Sequence, residues 1–175
     1  SPTSWFNSIA CPQDLILVVP EQVGEEVMKI IIVGVGEIGY HIAERLVDEA
    51  QDVVVIEASR DRLDSIEEKN LDLRVVQGNG ASPKVLMEAG VEDSELFLAV
   101  TDLDEVNLVA CAMAQAINPH IIKIARFRNP DFMENRNLFE KLGLKLDRII
   151  NPELETAKRI MRTLRVPQAM DIIEF

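Results

Sequence analysis

The sequence contains few of the residue types on which several common site chemistries depend. Of its 175 residues, only Cys11 and Cys111 are cysteines and only His41 and His120 are histidines. Two cysteines so far apart form neither a disulfide framework nor a zinc-ligand pair, and free thiols of this kind suit a reducing cytoplasm. Neither histidine lies in a pattern that suggests a general acid or a metal ligand, so we predict no metal site and no catalytic residue.

Positive charge and long apolar runs are also scarce. The chain has 18 Lys and Arg residues against 30 Asp and Glu, which gives a formal net charge of -12. Because this charge repels phosphate backbones and anionic lipid, nucleic acid is not an expected partner. Apolar runs such as those at 15–19 and 30–33 are much shorter than the ~20 residues that cross a bilayer, so any membrane role must work through a partner protein.

The remaining composition is that of an ordinary folded domain. Hydrophobic residues make up 47% and charged residues 27%, which excludes disorder, collagen and coiled coil as descriptions of the whole chain. The length suits one domain with modest additions and argues against a two-lobed enzyme. Residues 1–27 have no Lys or Arg and lack the pattern that follows, so we interpret them as a leader, either native or vector-derived.

From Met28 onward, apolar strand-like runs alternate with amphipathic helical ones. This alternation predicts an α/β fold: a doubly wound, Rossmann-like parallel sheet with helices on both faces, over residues 28–150. The predicted strands are 29–33, 53–56, 73–76, 96–100, 121–125 and 147–150. Four helices are predicted between these strands. The first follows Gly39, the second spans 61–69, the third begins at Ser82-Pro83, and the fourth is a long helix that ends at Asn118-Pro119.

Further predictions concern the long helix and the last helix of the chain. On the long one, Cys111 lies among alanines and is predicted to be a small core residue. Its predicted apolar face consists of Val106, Val109, Ala110, Met113, Ala116 and Ile117. In the segment 151–175, Pro152 to Leu164 has heptad-like apolar spacing and is predicted to be a last helix, followed by the start of another domain.

A glycine-rich motif follows the first predicted strand directly and opens the first helix. Gly34, Gly36 and Gly39 have the G-x-G-x-x-G spacing of a phosphate-binding turn. In such a turn the first glycine makes the bend, the second lets the backbone approach a pyrophosphate, and the third allows close packing of helix on strand. The free N–H groups of the helix N-terminus bind phosphate even in an acidic protein.

An acidic residue at the end of the second strand is a second, independent signal. Glu57 lies 18 residues after Gly39, where a carboxylate accepts hydrogen bonds from the hydroxyls of an adenosine ribose. The same carboxylate repels a 2′-phosphate, so we expect NAD(H) to bind in preference to NADP(H). Arg60 and Arg62 are expected to face solvent or another part of the nucleotide.

The ends of the third and fourth predicted strands complete the candidate site. Gly78-Asn79-Gly80 and Thr101-Asp102 both lie at the carboxyl edge of the sheet, where open α/β folds bind ligands. Their alternative interpretation is that of turn glycines and a helix N-cap. The motifs are also compatible with two other functions. One is a small NAD-dependent oxidoreductase or its cofactor-binding half, and the other is an assembly scaffold with a vestigial site. Hydride transfer, however, has no visible acid, base or substrate lobe here.

Four segments are more specific than the glycine spacing: IIIVGVGEIG, VVVIEASRDRL, IARFRNPDF and the segment VVQGNGASPKVLMEAGVEDSELFLAVTDLDEVNLVACAMA. Together they resemble the RCK or KTN family of regulatory nucleotide-binding domains of bacterial and archaeal potassium transport, in particular its Trk uptake branch. The resemblance runs from Met28 to Phe175. It implies that NAD or NADH, or else ATP or ADP, is bound as a regulatory ligand and undergoes no reaction.

The resemblance also implies roles for individual residues. Phosphate contacts are implied for Gly34, Gly36, Glu37, Ile38 and Gly39. Glu57 would bind the ribose with Ala58 and Arg62 nearby, and Gly78, Asn79 and Gly80 would flank the adenine. The nicotinamide or terminal-phosphate side would be lined by Thr101, Asp102, Glu105 and Arg126.

The resemblance finally implies a set of partners. The last predicted helix, Pro152 to Leu164, resembles the C-terminal crossover helix through which family members pair into homodimers. These homodimers assemble into rings. The rings bind the cytoplasmic face of an integral-membrane potassium transporter subunit. The expected location is therefore the cytoplasm, peripheral to the inner face of the plasma membrane.

Overall fold

The computed structural model describes residues 7–10, 16–19 and 27–153. In the first two segments, Asn7–Ala10 (β1) pairs with Ile16–Val19 (β2) in an antiparallel arrangement. No strands were predicted there from the sequence. Apart from its first residues, the predicted crossover helix lies outside the described residues, as does the tail that follows it.

The third described segment forms a six-stranded parallel sheet. Its strands are Lys29–Val33 (β3), Asp52–Glu57 (β4), Arg74–Gln77 (β5), Leu96–Ala99 (β6), Ile122–Arg126 (β7) and Arg148–Ile150 (β8). In order across the sheet they are β5, β4, β3, β6, β7 and β8. Since β3 is the first strand of this sheet along the chain, the order is the 3-2-1-4-5-6 arrangement of dinucleotide-binding folds. The predicted Rossmann-like fold is therefore confirmed.

Helices cover both faces of the sheet, as predicted. They are Glu37–Asp48 (α1), Arg60–Glu67 (α2), Pro83–Ala89 (α3), Asp104–Ile117 (α4), Pro130–Glu134 (α5) and Arg136–Lys141 (α6). Side chains of successive strand residues alternate between the faces, so Ile30 and Ile32 pack with α1 and α2, whereas Ile31 and Val33 pack with α3, α4 and α6. Both faces are thus buried, which explains the continuous apolar strands.

The predicted buried face of α4 was only partly correct, since Ala110 is buried and Met113 and Ile117 pack against the core. Val109 is 43% exposed, and the residues that α4 buries are Asp104, Asn107, Ala110, Cys111 and Ala114. Small and polar residues occupy this face because α4 lies close to β6 and β7 and bonds to their ends. The prediction that Cys111 is a core residue is confirmed, since its side chain is fully buried.

The helices α5 and α6 were not predicted. Asn129 accepts a hydrogen bond from the Asp131 amide and Pro130 occupies the first turn of α5, which is a recognisable helix start. Stacked rings of Phe127, Phe132 and Phe139 hold the two helices against the sheet. Among the described residues, no helix is long and apolar enough to cross a bilayer.

Candidate functional site

A cleft of about 340 Å³ lies at the carboxyl ends of β3 and β6. The chain leaves β3 toward α1 on one face of the sheet and leaves β6 toward α4 on the other, which makes this the topological switch point where such sheets bind ligands. The volume is at the low end of small-molecule sites. The cleft is lined by Val33, Gly34, Ile56, Glu57, Ala58, Arg62, Gly78, Asn79, Gly80, Thr101, Asp102, Leu103 and Val106.

The three motif glycines have different surroundings. Gly34 has a φ of +95°, and a side chain there would come within 2.9 Å of the Thr101 Cα atom. A side chain on Gly39 would overlap the carbonyl oxygen of Gly34. At Gly36 the nearest atom to an added Cβ is Nη1 of Arg62, 3.8 Å away. The backbone therefore requires glycine at the first and third positions, whereas the second leaves open space at the start of α1.

Glu57 is buried at the end of β4 and joins that strand to the glycine turn. Its Oε2 atom accepts a hydrogen bond from the Val35 amide, and its Oε1 atom accepts one from the Ser59 amide, both at 2.9 Å. A carboxylate offers about four lone-pair positions, so two are left for a ligand. The same side chain can thus fix the turn and accept ribose hydroxyls.

Arg62 extends from α2 across the mouth of the cleft. Its Nη2 atom lies 3.1 Å from Oδ2 of Asp102, which follows β6, and its Nη1 atom lies 3.8 Å from Oε2 of Glu57. Arg60 instead pairs with Asp64 of its own helix, at 2.9 Å. Of the two arginines considered from the sequence, only Arg62 therefore reaches the cleft.

A second arginine, Arg126, forms an ion pair with the other carboxylate oxygen of Asp102. Arg126 donates to Oδ1 of Asp102 at 3.1 Å and to Oε1 of Glu153 at 2.6 Å. Its own side chain is 8% exposed, and its buried Nε atom has no hydrogen-bond partner among the described residues. An alternating row of charges thus runs from Arg62 through Asp102 and Arg126 to Glu153.

These arginines set the ionisation of the two carboxyls in the row. Partial burial acts to raise the pKa of Asp102, but the hydrogen bonds and charges of Arg62 and Arg126 outweigh it and hold the pKa below its ordinary value. The pKa of Glu153 is also lowered. Burial acts to raise it, but the backbone amide of Glu153 itself, the hydrogen bond and charge of Arg126 and the charge of Arg128 together outweigh burial. Asp102 is therefore a carboxylate at neutral pH.

Asn107 on α4 fixes the end of β6 beside the cleft. Its Oδ1 atom accepts hydrogen bonds from the Thr101 amide at 2.9 Å and from the Thr101 hydroxyl at 2.7 Å. Its Nδ2 atom donates to the carbonyls of Thr101 at 3.0 Å and Arg126 at 2.8 Å. This fully buried side chain was not singled out from the sequence. An Asn six residues after a strand-end Thr, on an otherwise apolar helix, is the signal that could have found it.

Most residues predicted for the site line the cleft, namely Gly34, Glu57, Ala58, Arg62, Gly78, Asn79, Gly80, Thr101 and Asp102. Gly36, Glu37, Ile38 and Gly39 lie at the start of α1, outside the lining. Glu105 is exposed in the first turn of α4. Arg126 is not part of the lining but contacts two lining residues, Thr101 and Asp102. The lining also includes four apolar residues that were not predicted: Val33, Ile56, Leu103 and Val106.

Comparison with known proteins gives a consistent result. The family model described as the TrkA-N domain matches residues 30–152. The chain belongs to the TrkA-N family. It is 40% identical over 149 residues to the Trk system potassium uptake protein TrkA of Haemophilus influenzae, and 37% identical over 148 residues to the TrkA homolog of Archaeoglobus fulgidus. Each alignment covers 85% of this chain. The chain spans only about a third of the length of these relatives, 32% and 33% respectively.

Solved structures share the fold. The TrkA-N domain of the Escherichia coli inner membrane protein ybaL is 27% identical, with a TM-score of 0.67 over 81% of this chain and 99% of that one. The GsuK channel bound to NAD is 20% identical, with a TM-score of 0.60 over 75% of this chain and 22% of that one. GsuK bound to ADP has the same identity and TM-score over 73% and 32% of the two chains.

Proposed function

We propose that this chain is the nucleotide-binding module of a Trk-type potassium uptake regulator. In this proposal NAD(H), or an adenine nucleotide such as ADP, binds in the cleft as a signal and leaves it chemically unchanged. The observation that carries the proposal is the pairing of the glycine turn, open at Gly36, with the buried carboxylate of Glu57 on the neighbouring strand.

Phosphate binding in this cleft is supported by local charge. Although the chain carries a net charge of -12, the amides at the start of α1 and the guanidinium of Arg62 lie on the same side of the cleft. A helix N-terminus is equivalent to about half a positive charge, and an arginine fork binds phosphate through two parallel hydrogen bonds. The local field at Gly36 thus favours an anion.

A ligand role is favoured over hydride transfer by the groups that line the cleft. In the described part of the chain, the charged lining residues are Glu57, Arg62 and Asp102, and each is already engaged with backbone amides or an ion pair. A general acid or base needs a proton that a substrate can reach, with a pKa near the operating pH. The lowered pKa of Asp102 is far from that range.

The role within the whole protein follows from the relatives that are named for potassium uptake. We propose that the full-length protein resides in the cytoplasm and binds an integral-membrane potassium transporter subunit. The module would pair with a second copy in a larger ring. Nucleotides would then alter transport only to the extent that they bind one arrangement of the paired modules more tightly than another.

The test is calorimetric titration of the protein with NADH, NADPH, ADP and ATP, with NADH absorbance followed in parallel. We expect one site per chain, weaker binding of NADPH because Glu57 repels its 2′-phosphate, and constant absorbance in the presence of carbonyl compounds. Failure of every nucleotide to bind would contradict the proposal. Steady loss of NADH absorbance would favour the oxidoreductase alternative instead.

A further inference from the structure

The guanidinium of Arg62 occupies the region where a nucleotide diphosphate would approach the glycine turn. Its Nη1 atom lies 3.8 Å from the position of a Cβ added to Gly36, the one motif glycine with open space above it. A phosphate that accepts hydrogen bonds from the amides at the start of α1 therefore comes directly beside this cation. Arg62 is positioned to pair with the ligand.

The cation is already paired with an anion of the protein. Asp102 approaches Arg62 from the opposite half of the sheet, with Oδ2 at 3.1 Å from Nη2. A carboxylate and a phosphate bind the same planar fork in the same geometry. Asp102 thus takes a position on Arg62 that a ligand phosphate would need.

This ion pair is well suited to exchange partners. The side chains of Arg62 and Asp102 are 44% and 48% exposed, and ion pairs this accessible to water are weak. When Arg62 turns to a ligand, Asp102 keeps the buried guanidinium of Arg126 at 3.1 Å. Asp102 therefore keeps a counter-charge, and Glu57, which lies 3.8 Å from Nη1 of Arg62, keeps its hydrogen bonds from two backbone amides.

We infer that Asp102 is an internal anion that competes with the phosphates of the nucleotide for Arg62, so that it lowers nucleotide affinity. The inference rests on the proposed function and reverses the role of Asp102 implied by family resemblance, which is that of a ligand contact. A carboxylate so close to the phosphate position also repels the ligand directly. Asp102 and the phosphates of the nucleotide then compete for Arg62, and this competition sets nucleotide affinity.

The experiment compares ADP with adenosine, which lacks phosphate, by calorimetry on wild type and Asp102→Asn. We expect ADP to bind the variant about threefold to tenfold more tightly, and adenosine to change by less than about twofold. Asp61→Asn is the matched control, because it removes the same charge from the residue next to Arg62 in α2. It should change ADP affinity by about twofold or less.

A double-mutant cycle tests whether Arg62 is the shared partner. In an Arg62→Gln background, Asp102→Asn should no longer strengthen ADP binding, since there is no cation left to release. Thermal unfolding of each variant confirms that it is folded. If Asp102→Asn does not fold, Asp102→Ser carries the same expectation.

The outcomes separate this inference from the proposed function. If wild type binds ADP but Asp102→Asn weakens the binding or leaves it unchanged, the inference is overturned and the proposed function stands. A gain that persists without Arg62, or that Asp61→Asn reproduces, reflects general charge relief and also overturns it. If neither wild type nor Asp102→Asn binds ADP or NADH, both fail together.

Discussion

The carboxylate of Glu57 is bonded to the glycine turn of the adjacent strand, since its Oε2 atom accepts the Val35 amide at 2.9 Å. Its Oε1 atom accepts the Ser59 amide at the start of α2, also at 2.9 Å. One buried side chain therefore fixes two loops of the cleft at once. A residue chosen from the sequence as a ribose ligand is in addition part of the framework that shapes the site.

Glu57→Ala should consequently reduce both ligand affinity and stability. We expect NADH affinity to fall by about tenfold or more, because hydrogen bonds to a charged acceptor contribute about 1.5 to 3 kcal/mol. The free energy of unfolding should fall by about 1 to 3 kcal/mol, because two amides lose their acceptor. Calorimetry and urea unfolding measure the two effects. Unchanged affinity in a folded variant would remove Glu57 from the binding site.

Gly36 and Gly39 form a matched pair for separating binding from folding. Gly36→Ala should cost about 1 kcal/mol or less in stability, since an added Cβ meets only Arg62, yet it should weaken ADP binding by intruding on the phosphate. Gly39→Ala should cost about 1 to 3 kcal/mol or more, because its Cβ overlaps the backbone of Gly34. Equal stability of the two variants in urea would contradict this assignment.

The glycine turn and its strands could be predicted because their signals are local. β3 runs directly into Gly34, and both the spacing of the glycines and the acid at the end of β4 are visible along the chain. Parallel strands buried on both faces also give apolar runs that are easily recognised. For these reasons the fold and most of the cleft lining followed from the sequence alone.

The remaining features depend on contacts between distant residues. Arg62 and Asp102 are 40 positions apart, and nothing in either local sequence indicates that they pair. The face of α4 was misjudged because hydrophobicity favours Val109 over Asn107, whereas the fold buries the Asn to satisfy the ends of β6 and β7. Hydrogen-bond demand at the ends of strands is not part of a hydrophobic pattern.

Asn107→Ala should loosen the cleft as well as destabilise the fold. The change leaves the half-buried Thr101 amide without its acceptor, so we expect a loss of about 3 kcal/mol in urea unfolding together with weaker ADP binding. Asn118→Ala is the control, because Asn118 makes comparable bonds to the carbonyls of Val91 and Ser94 at the opposite end of the sheet. It should lose stability and keep its affinity. A full loss of affinity in both variants would argue against a specific role for Asn107.

The lowered pKa values of Asp102 and Glu153 predict a small loss of stability in acid. Because each pKa is lower in the folded state, the stabilisation is complete above the ordinary values of 3.8 and 4.5 and is lost as pH falls below them. Both carboxyls are nearly half exposed, so the effect should be about 1 kcal/mol or less. The test is urea unfolding of wild type and the double variant Asp102→Asn with Glu153→Gln. Their difference should be constant from about pH 7 to pH 5 and shrink near pH 3.

Cys111 should react with thiol reagents only after the domain unfolds. Its side chain is fully buried, and burial raises the pKa of its thiol to about 12, so the native protein at pH 8 has almost no thiolate at this position. In a Cys11→Ser background, we expect the labelling rate to rise with urea in parallel with unfolding. At a stability of about 5 kcal/mol, fewer than about one molecule in 1,000 is unfolded, so native labelling should be slower by at least that factor. Labelling of the native protein at the unfolded rate would instead mean that α4 separates readily from β6 and β7. The closed face that positions Asn107 and Thr101 beside the cleft would then not be stable in solution.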